Sequence, residues 1–138
     1  MLKVVIDTNV FISGVLTAGG NPSTILKAWK RIHKYQLFVT EDIIREILKV
    51  MSRLDIEADI ILDWNKMIRK NATIVKPKKK ITVIREDPSD DKFLECAFEV
   101  NADYIVSGDE HLKKLTNFEG IEIIDAKKFV DILRTEKS

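Results

Sequence analysis

Apolar positions along the chain follow two rhythms. Short, nearly continuous apolar runs occur at Leu2–Ile6, Leu37–Val39, Ala72–Val75, Asp103–Ser107 and Ile121–Ile124. Runs this short, rich in Val and Ile, read as strands buried on both faces. Between them the spacing changes to three and four. Phe11, Ile12, Val15 and Leu16 make one helical stripe, and Ile25, Leu26, Trp29 and Ile32 a second. Ile43, Ile44, Ile47, Leu48 and Met51 make a third. Ile60, Ile61, Trp64 and Ile68 line a helix over Asp59–Arg69, and Phe93, Leu94 and Ala97 line another over Asp90–Val100. Leu112 and Leu115 mark a short helix, and Phe129, Ile132 and Leu133 a last one. The helix starts carry their own signals. Asn21 reads as an N-cap with Pro22 at the first helical position. Thr40 reads as a cap followed by Glu41 and Asp42, whose charges suit a helix N-terminus. Ser89 and Asp125 are further cap candidates, and Thr17–Gly20, Pro77–Lys80 and Arg85–Ser89 read as loops.

Strands that alternate with helices predict an α/β fold, a three-layer α/β/α sandwich around a central parallel five-stranded sheet. Right-handed crossovers follow. In such folds ligands gather beyond the C-terminal ends of the strands, so that edge is where chemistry is expected. A length of 138 residues suits a single domain, 1–138, able to bury a core without disulfides or a structural metal.

Charge and cysteine content narrow the function. Lys plus Arg is 23 against 22 Asp plus Glu, a net charge of +1. Bulk attraction to nucleic acid is therefore excluded as the main source of affinity, and any such role needs a local patch or a bound metal. The single Cys96 excludes an intrachain disulfide and a Cys-rich zinc site, and two histidines argue against a His-based one. The chain reads as cytoplasmic. The uncharged stretch Thr8–Leu26 is broken by Gly14, Gly19, Gly20, Asn21 and Pro22, so it is not a membrane span. Asp7 directly before it argues against a signal peptide.

Four carboxylates fall around the expected edge. Asp7 closes the first strand, and Asp109 lies two residues past the fourth. Glu46 sits in the helix after the second strand, and Asp90 opens the helix that leads into the fourth. No Lys or Arg within these segments looks placed to neutralise them. A divalent cation is the economical counter-charge, and hard oxygen donors suit Mg²⁺ or Mn²⁺. Helix phase puts Asp90 on the face of Phe93, Leu94 and Ala97, and turns Asp91 with Glu95 toward the edge. Asp42, one turn before Glu46, is a candidate to support it. Taken singly, each acid has a plainer reading: Asp7, Asp90 and Asp109 as helix caps, Glu46 as a solvated residue. The convergence of four at one crevice weighs against that. Lys76 and Lys78–Lys80 read as a solvated basic loop, Cys96 as inert core, and His111 as lacking partners for a nucleophilic triad. Ser13 and Ser107 lack a nucleophile-elbow context, and no glycine-rich phosphate loop is present.

The same segments carry a family resemblance. Val4-Val5-Ile6-Asp7-Thr8-Asn9-Val10-Phe11 resembles the opening motif of PIN-domain nucleases. Thr40 to Glu46 resembles their second motif, Asp87 to Ala97 their third, and Ala102 to Asp109 their fourth. The likeness runs from Leu2 to about Leu133 and is nearest the small single-domain prokaryotic branch related to VapC toxins. It implies a PIN-like strand order 3-2-1-4-5 and an Mg²⁺- or Mn²⁺-dependent endoribonuclease that hydrolyses RNA. Asp7, Glu46, Asp90 and Asp109 would be its acidic ligands. Asn9 would orient Asp7 or a metal-bound water, Asp91 stands beside the third acid, and Ser107 replaces a frequent Thr. An antitoxin protein becomes a candidate partner alongside RNA. Two other readings stay open. One is a non-catalytic metal- or nucleotide-binding module. The other is a haloacid-dehalogenase-like phosphatase, which expects Asp where this chain has Asn9. The apolar helices, with Trp29 and Trp64, also suggest a homodimer.

Overall fold

The structure, a computed structural model, describes residues 1–81 and 90–135. The elements run β1 (Lys3–Ile6), α1 (Thr8–Leu16), α2 (Asn21–Lys30), β2 (Gln36–Val39), α3 (Glu41–Arg53), α4 (Ala58–Asn71) and β3 (Thr73–Ile74). They continue with α5 (Asp91–Val100), β4 (Tyr104–Val106), α6 (Glu110–Lys113), β5 (Asn117–Phe118), β6 (Ile121–Ile124) and α7 (Ala126–Thr135). The expected loop Arg85–Ser89, with Ser89 as a cap, lies outside the described residues.

The sheet order is β3-β2-β1-β4-β6-β5. The five expected strands thus keep the order 3-2-1-4-5, all parallel, and a sixth is added antiparallel at the edge. Val4 and Val5 are adjacent on β1, so their side chains point to opposite faces, and both are 0% exposed. Only a sheet covered on both sides buries consecutive residues this way. α5 packs across β1, β2 and β4, while α2 packs with α1 and α7, and α3 with α1 and α4. Aromatic rings join these helices: Phe11 of α1 meets Trp29 of α2 at 6.4 Å and Trp64 of α4 at 5.5 Å between centroids.

Most local expectations are met, and the exceptions have physical causes. Thr40 caps α3 by accepting the Ile43 N–H, and Asp125 accepts the Lys128 N–H at the start of α7. The cap of α2 is Gly20 rather than Asn21. Its φ of 98° favours glycine, and Asn21 and Pro22 become the first two helical residues. Ile32 lies past the end of α2 and Ile60 on the outer side of α4, and both are exposed. Trp29 is buried, and Trp64 lies under Phe11 and the Lys30 ammonium. The two tryptophans therefore form no surface patch of their own, while Leu16, Ile32, Leu54, Ile60 and Leu62 are exposed apolar residues. The extra β5 exists because Glu119 and Gly120 both take positive φ, 52° and 84°, as a two-residue hairpin turn requires. Cys96 is buried as expected, and burial pushes its thiol pKa up to about 12.

The contact of α1 with α2 leaves no room at Gly14. A Cβ there would stand 2.7 Å from the Pro22 carbonyl oxygen and 2.7 Å from Leu26 Cδ1. A backbone carbonyl cannot give way as a side chain can. Overpacking of this kind costs about 1–3 kcal/mol, more than the helix-propensity gain of up to about 1 kcal/mol from Gly to Ala. Gly14→Ala should therefore lower the midpoint of thermal unfolding. A neutral or raised midpoint would mean that α1 and α2 sit further apart.

Candidate active site

Chain order reverses between β1 and β4, which lie side by side. Beyond their C-terminal ends lies the crevice where open α/β sheets place ligands. The ladder runs right up to it. The Asp7 N–H donates to the Val106 carbonyl at 2.9 Å, and the Ser107 N–H donates to the Ile124 carbonyl at 2.9 Å. Asp7 and Ser107 thus leave adjacent strands in register.

Asp7 is buried and serves α1 as its N-cap. Its Oδ1 accepts the Asn9 backbone N–H at 2.9 Å, and its Oδ2 accepts the Ser107 hydroxyl at 2.6 Å. The Ser107 oxygen in turn accepts the Asp109 N–H at 2.9 Å. Asp109 caps α6 by accepting the N–H groups of His111 and Leu112. A chain of short-range bonds therefore sets the spacing of Asp7 and Asp109 through one buried serine. Asn9 holds Asp7 through its backbone, while its side chain is exposed at the rim.

Glu46 comes to the same place from α3. Its Oε2 accepts the hydroxyl of buried Thr8, and its Oε1 lies 2.9 Å from the Lys92 ammonium. Both neighbours escaped the reading of the sequence. Thr8 carried a signal, since a hydroxyl directly after a strand-end acid points into the same crevice. Lys92 also carried one, and the expectation that no basic residue neutralises these acids is corrected by it. Asp42 pairs instead with Arg45 on the surface at 3.0 Å and takes no part. The expectation that Asp91 turns outward is also corrected: Asp90 is 9% exposed and Asp91 6%. Helix α5 begins at Asp91 and Asp90 stands at its N-cap position with a backbone that is still right-handed helical, φ −79° and ψ −14°, so both neighbours lie at the buried start of the helix and periodicity alone does not choose between them.

Burial raises the pKa of Asp7 above its ordinary value. The bonds from Ser107 and Asn9 pull it down, and the charges of Asp109 and Glu46 push it up again. Asp7, Glu46 and Asp109 are therefore electrostatically coupled. Among the described residues no three His, Cys, Asp or Glu side chains stand close enough to hold a metal ion between them. The donors present are all hard oxygens, and their mutual repulsion suits a divalent cation in kind. Beside Asp109 opens a groove of about 730 Å³ lined by Asn9, Ser13, Pro22, His111 and Lys127 among others. A second groove, about 320 Å³, joins Thr40 to Lys78, Lys79 and Lys80.

A family description for the PIN domain matches residues 3–111, which include all four acids. The chain belongs to the PIN domain family. PIN domains are generally nucleases. Another similar protein is the uncharacterized protein MJ1680 of Methanocaldococcus jannaschii, 33% identical over 120 residues that cover 83% of this chain and 75% of that one. No helix among the described residues of this PIN domain is long and apolar enough to cross a membrane.

The raised pKa of Asp7 sets a direction for stability. The folded state holds this proton more tightly than the unfolded chain does. Its contribution is complete below the ordinary value of 3.8 and is lost as pH rises through the higher folded value. Asp7→Asn removes the charge and keeps the shape. The new amide oxygen can still accept the Asn9 N–H, and its NH₂ can donate to the Ser107 oxygen. In EDTA at neutral pH, Asp7→Asn should melt above the wild type, and the gap should close as pH falls toward 3.8. A variant that melts lower throughout would show that Asp7 acts only as a cap.

Proposed function

We propose that this PIN domain is a divalent-metal-dependent endoribonuclease that hydrolyses RNA phosphodiester bonds at the β1–β4 crevice. The observation that carries the reading is buried Asp7, bonded through Ser107 to Asp109, its pKa raised first by burial and then by the charges of Asp109 and Glu46. A protein that needed Asp7 only as a helix cap would not surround it with two more carboxylates. Asp7, Glu46, Asp90 and Asp109 would hold Mg²⁺ or Mn²⁺. When bound, such an ion lowers the pKa of a coordinated water and offsets charge on the phosphate.

The chain's own groups do the positioning. Ser107 keeps Oδ2 of Asp7 from rotating away, and the Asn9 N–H fixes Oδ1. Thr8 holds Glu46 toward the same edge. Asp90 stands buried at the N-cap position of α5, at the end of the helix that packs across β1 and β4. Asp91 is the first helical residue and supports the α5 N-terminus by charge. The groove lined by Asn9, Ser13 and Lys127 and the one lined by Lys78–Lys80 would let an RNA strand enter on one side of the acids and leave on the other. The lysines then supply the local positive patch that a net charge of +1 demands.

Purified protein with Mn²⁺ should cleave single-stranded RNA, and EDTA should stop it. Asp7→Asn, Asp109→Asn and Asp90→Asn should each lower the rate by about a hundredfold or more, as expected for groups that hold a catalytic ion. Asp91→Asn should retain most of the activity. Cleavage that survives EDTA or Asp7→Asn would end the metal mechanism, and a reversed order of Asp90 and Asp91 would reassign the third acid.

A further inference from the structure

Glu46 is engaged on both oxygens in the metal-free protein. Thr8 donates to Oε2, and the Lys92 ammonium lies 2.9 Å from Oε1. This is not a loose surface pair. The Lys92 side chain is 15% exposed and that of Glu46 31%. Pairs this far from bulk water are screened little, so their partners are held. The charge of Glu46 also reaches Asp7. A cation therefore already stands at the acidic edge, and it belongs to the chain.

We propose that Lys92 is a built-in counter-cation for the acidic site: it neutralises and positions Glu46 while metal is absent, and a divalent ion must displace it from Glu46 to load. The inference rests on the metal-dependent reading above and adds a positioning residue to it. The argument is electrostatic. An ammonium and a divalent ion cannot both sit on Oε1, because their mutual repulsion at contact distance exceeds what one carboxylate charge offsets. Lysine suits the role better than arginine would. Its ammonium is a point charge on a flexible stem, with no planar fork locking it to the carboxylate. A second seat is close by, since Nζ also lies 5.1 Å from the centroid of the Phe93 ring. Glu46 is turned toward Lys92 and Thr8, and it joins the other acids only when that pairing is exchanged.

The test measures Mn²⁺ binding by calorimetry at fixed ionic strength for wild type, Lys92→Met, Lys92→Arg and Asp7→Asn, with melting in EDTA recorded for each. Removal of the competing charge should lower the Mn²⁺ Kd of Lys92→Met by about tenfold, the size typical of a neighbour that tunes a metal ligand. The same variant should melt lower than wild type in EDTA, since Glu46 loses its counter-charge. Lys92→Arg keeps the charge and should keep both values near wild type. A second measurement needs no Lys92 variant, so it stands even if Lys92→Met fails to fold. Amine acetylation read by mass spectrometry should find Lys92 more reactive with Mn²⁺ than with EDTA, and Asp7→Asn should abolish that rise. A folded Lys92→Met with an unchanged or weaker Kd overturns the inference, as does Lys92 reactivity indifferent to bound Mn²⁺. Binding that depends on Asp7 but not on Lys92 overturns this inference alone. Failure of both wild type and Lys92→Met to bind Mn²⁺ overturns the metal reading and the inference together.

Discussion

The hydroxyl of Ser107 sits between two carboxylates that repel each other, and the geometry of the site follows from it. Its proton goes to Asp7 and its oxygen takes the Asp109 N–H. The arrangement needs β1 and β4 side by side and ending in register, which the bond from Asp7 to Val106 and the pairing of Ile6 with Val106 provide. That register in turn needs a sheet covered on both faces, because Val4, Val5, Ile105 and Val106 are all buried. Core packing and site geometry are thus one constraint seen at two distances. The cost is concentrated at Asp7, whose burial disfavours its charged form. Replacing Ser107 by the frequent Thr of the resembling family would keep the hydroxyl and add a methyl to a fully buried position. A serine here suits the close contact of β4 with β6.

Legibility in the sequence followed the strength of the local signal. Strands β1, β2, β4 and β6 were plain because continuous Val, Ile and Leu runs leave no other reading. β5 was invisible: two residues closed by Glu119-Gly120 lack both an apolar run and an Asn-Gly or Asp-Gly turn, although the backbone there is a hairpin. Helix faces were right at their centres and failed at their ends. Ile32 and Ile60 fit the 3.6-residue phase, but the first lies beyond the last helical turn and the second at a turn that no neighbouring element covers. Periodicity reports which residues share a stripe, and it is silent on how far the covering layer extends.

The site was legible in its acids and illegible in their partners. Asp7 and Asp109 could be placed because they follow strands directly, and position at a strand end is a backbone property. Asp90 against Asp91 was harder for the opposite reason. They are adjacent at the start of α5 and both are buried, so helix phase alone does not separate them. Thr8 and Lys92 were missed because their roles depend on where α3 meets α1 and α5, a tertiary fact that one-dimensional spacing does not contain. Charge balance hid Lys92 further, since a chain with 23 basic and 22 acidic residues offers no reason to single one out.

The Lys92–Glu46 pair changes how the acidic edge should be understood energetically. Four carboxylates drawn together without compensation would disfavour the fold, and most of the penalty would fall on the most buried member. Asp7 carries such a penalty in its raised pKa, which burial causes first and the charges of Asp109 and Glu46 add to. A stable apo fold and a strong metal site then pull in opposite directions. On the proposed mechanism, the charge compensation that Lys92 gives Glu46 would be surrendered if a divalent cation took that carboxylate. An edge so arranged trades affinity for stability, and the flexible stem of lysine allows the exchange to occur without moving α5, whose core residues Phe93, Leu94 and Ala97 stay fixed beneath it.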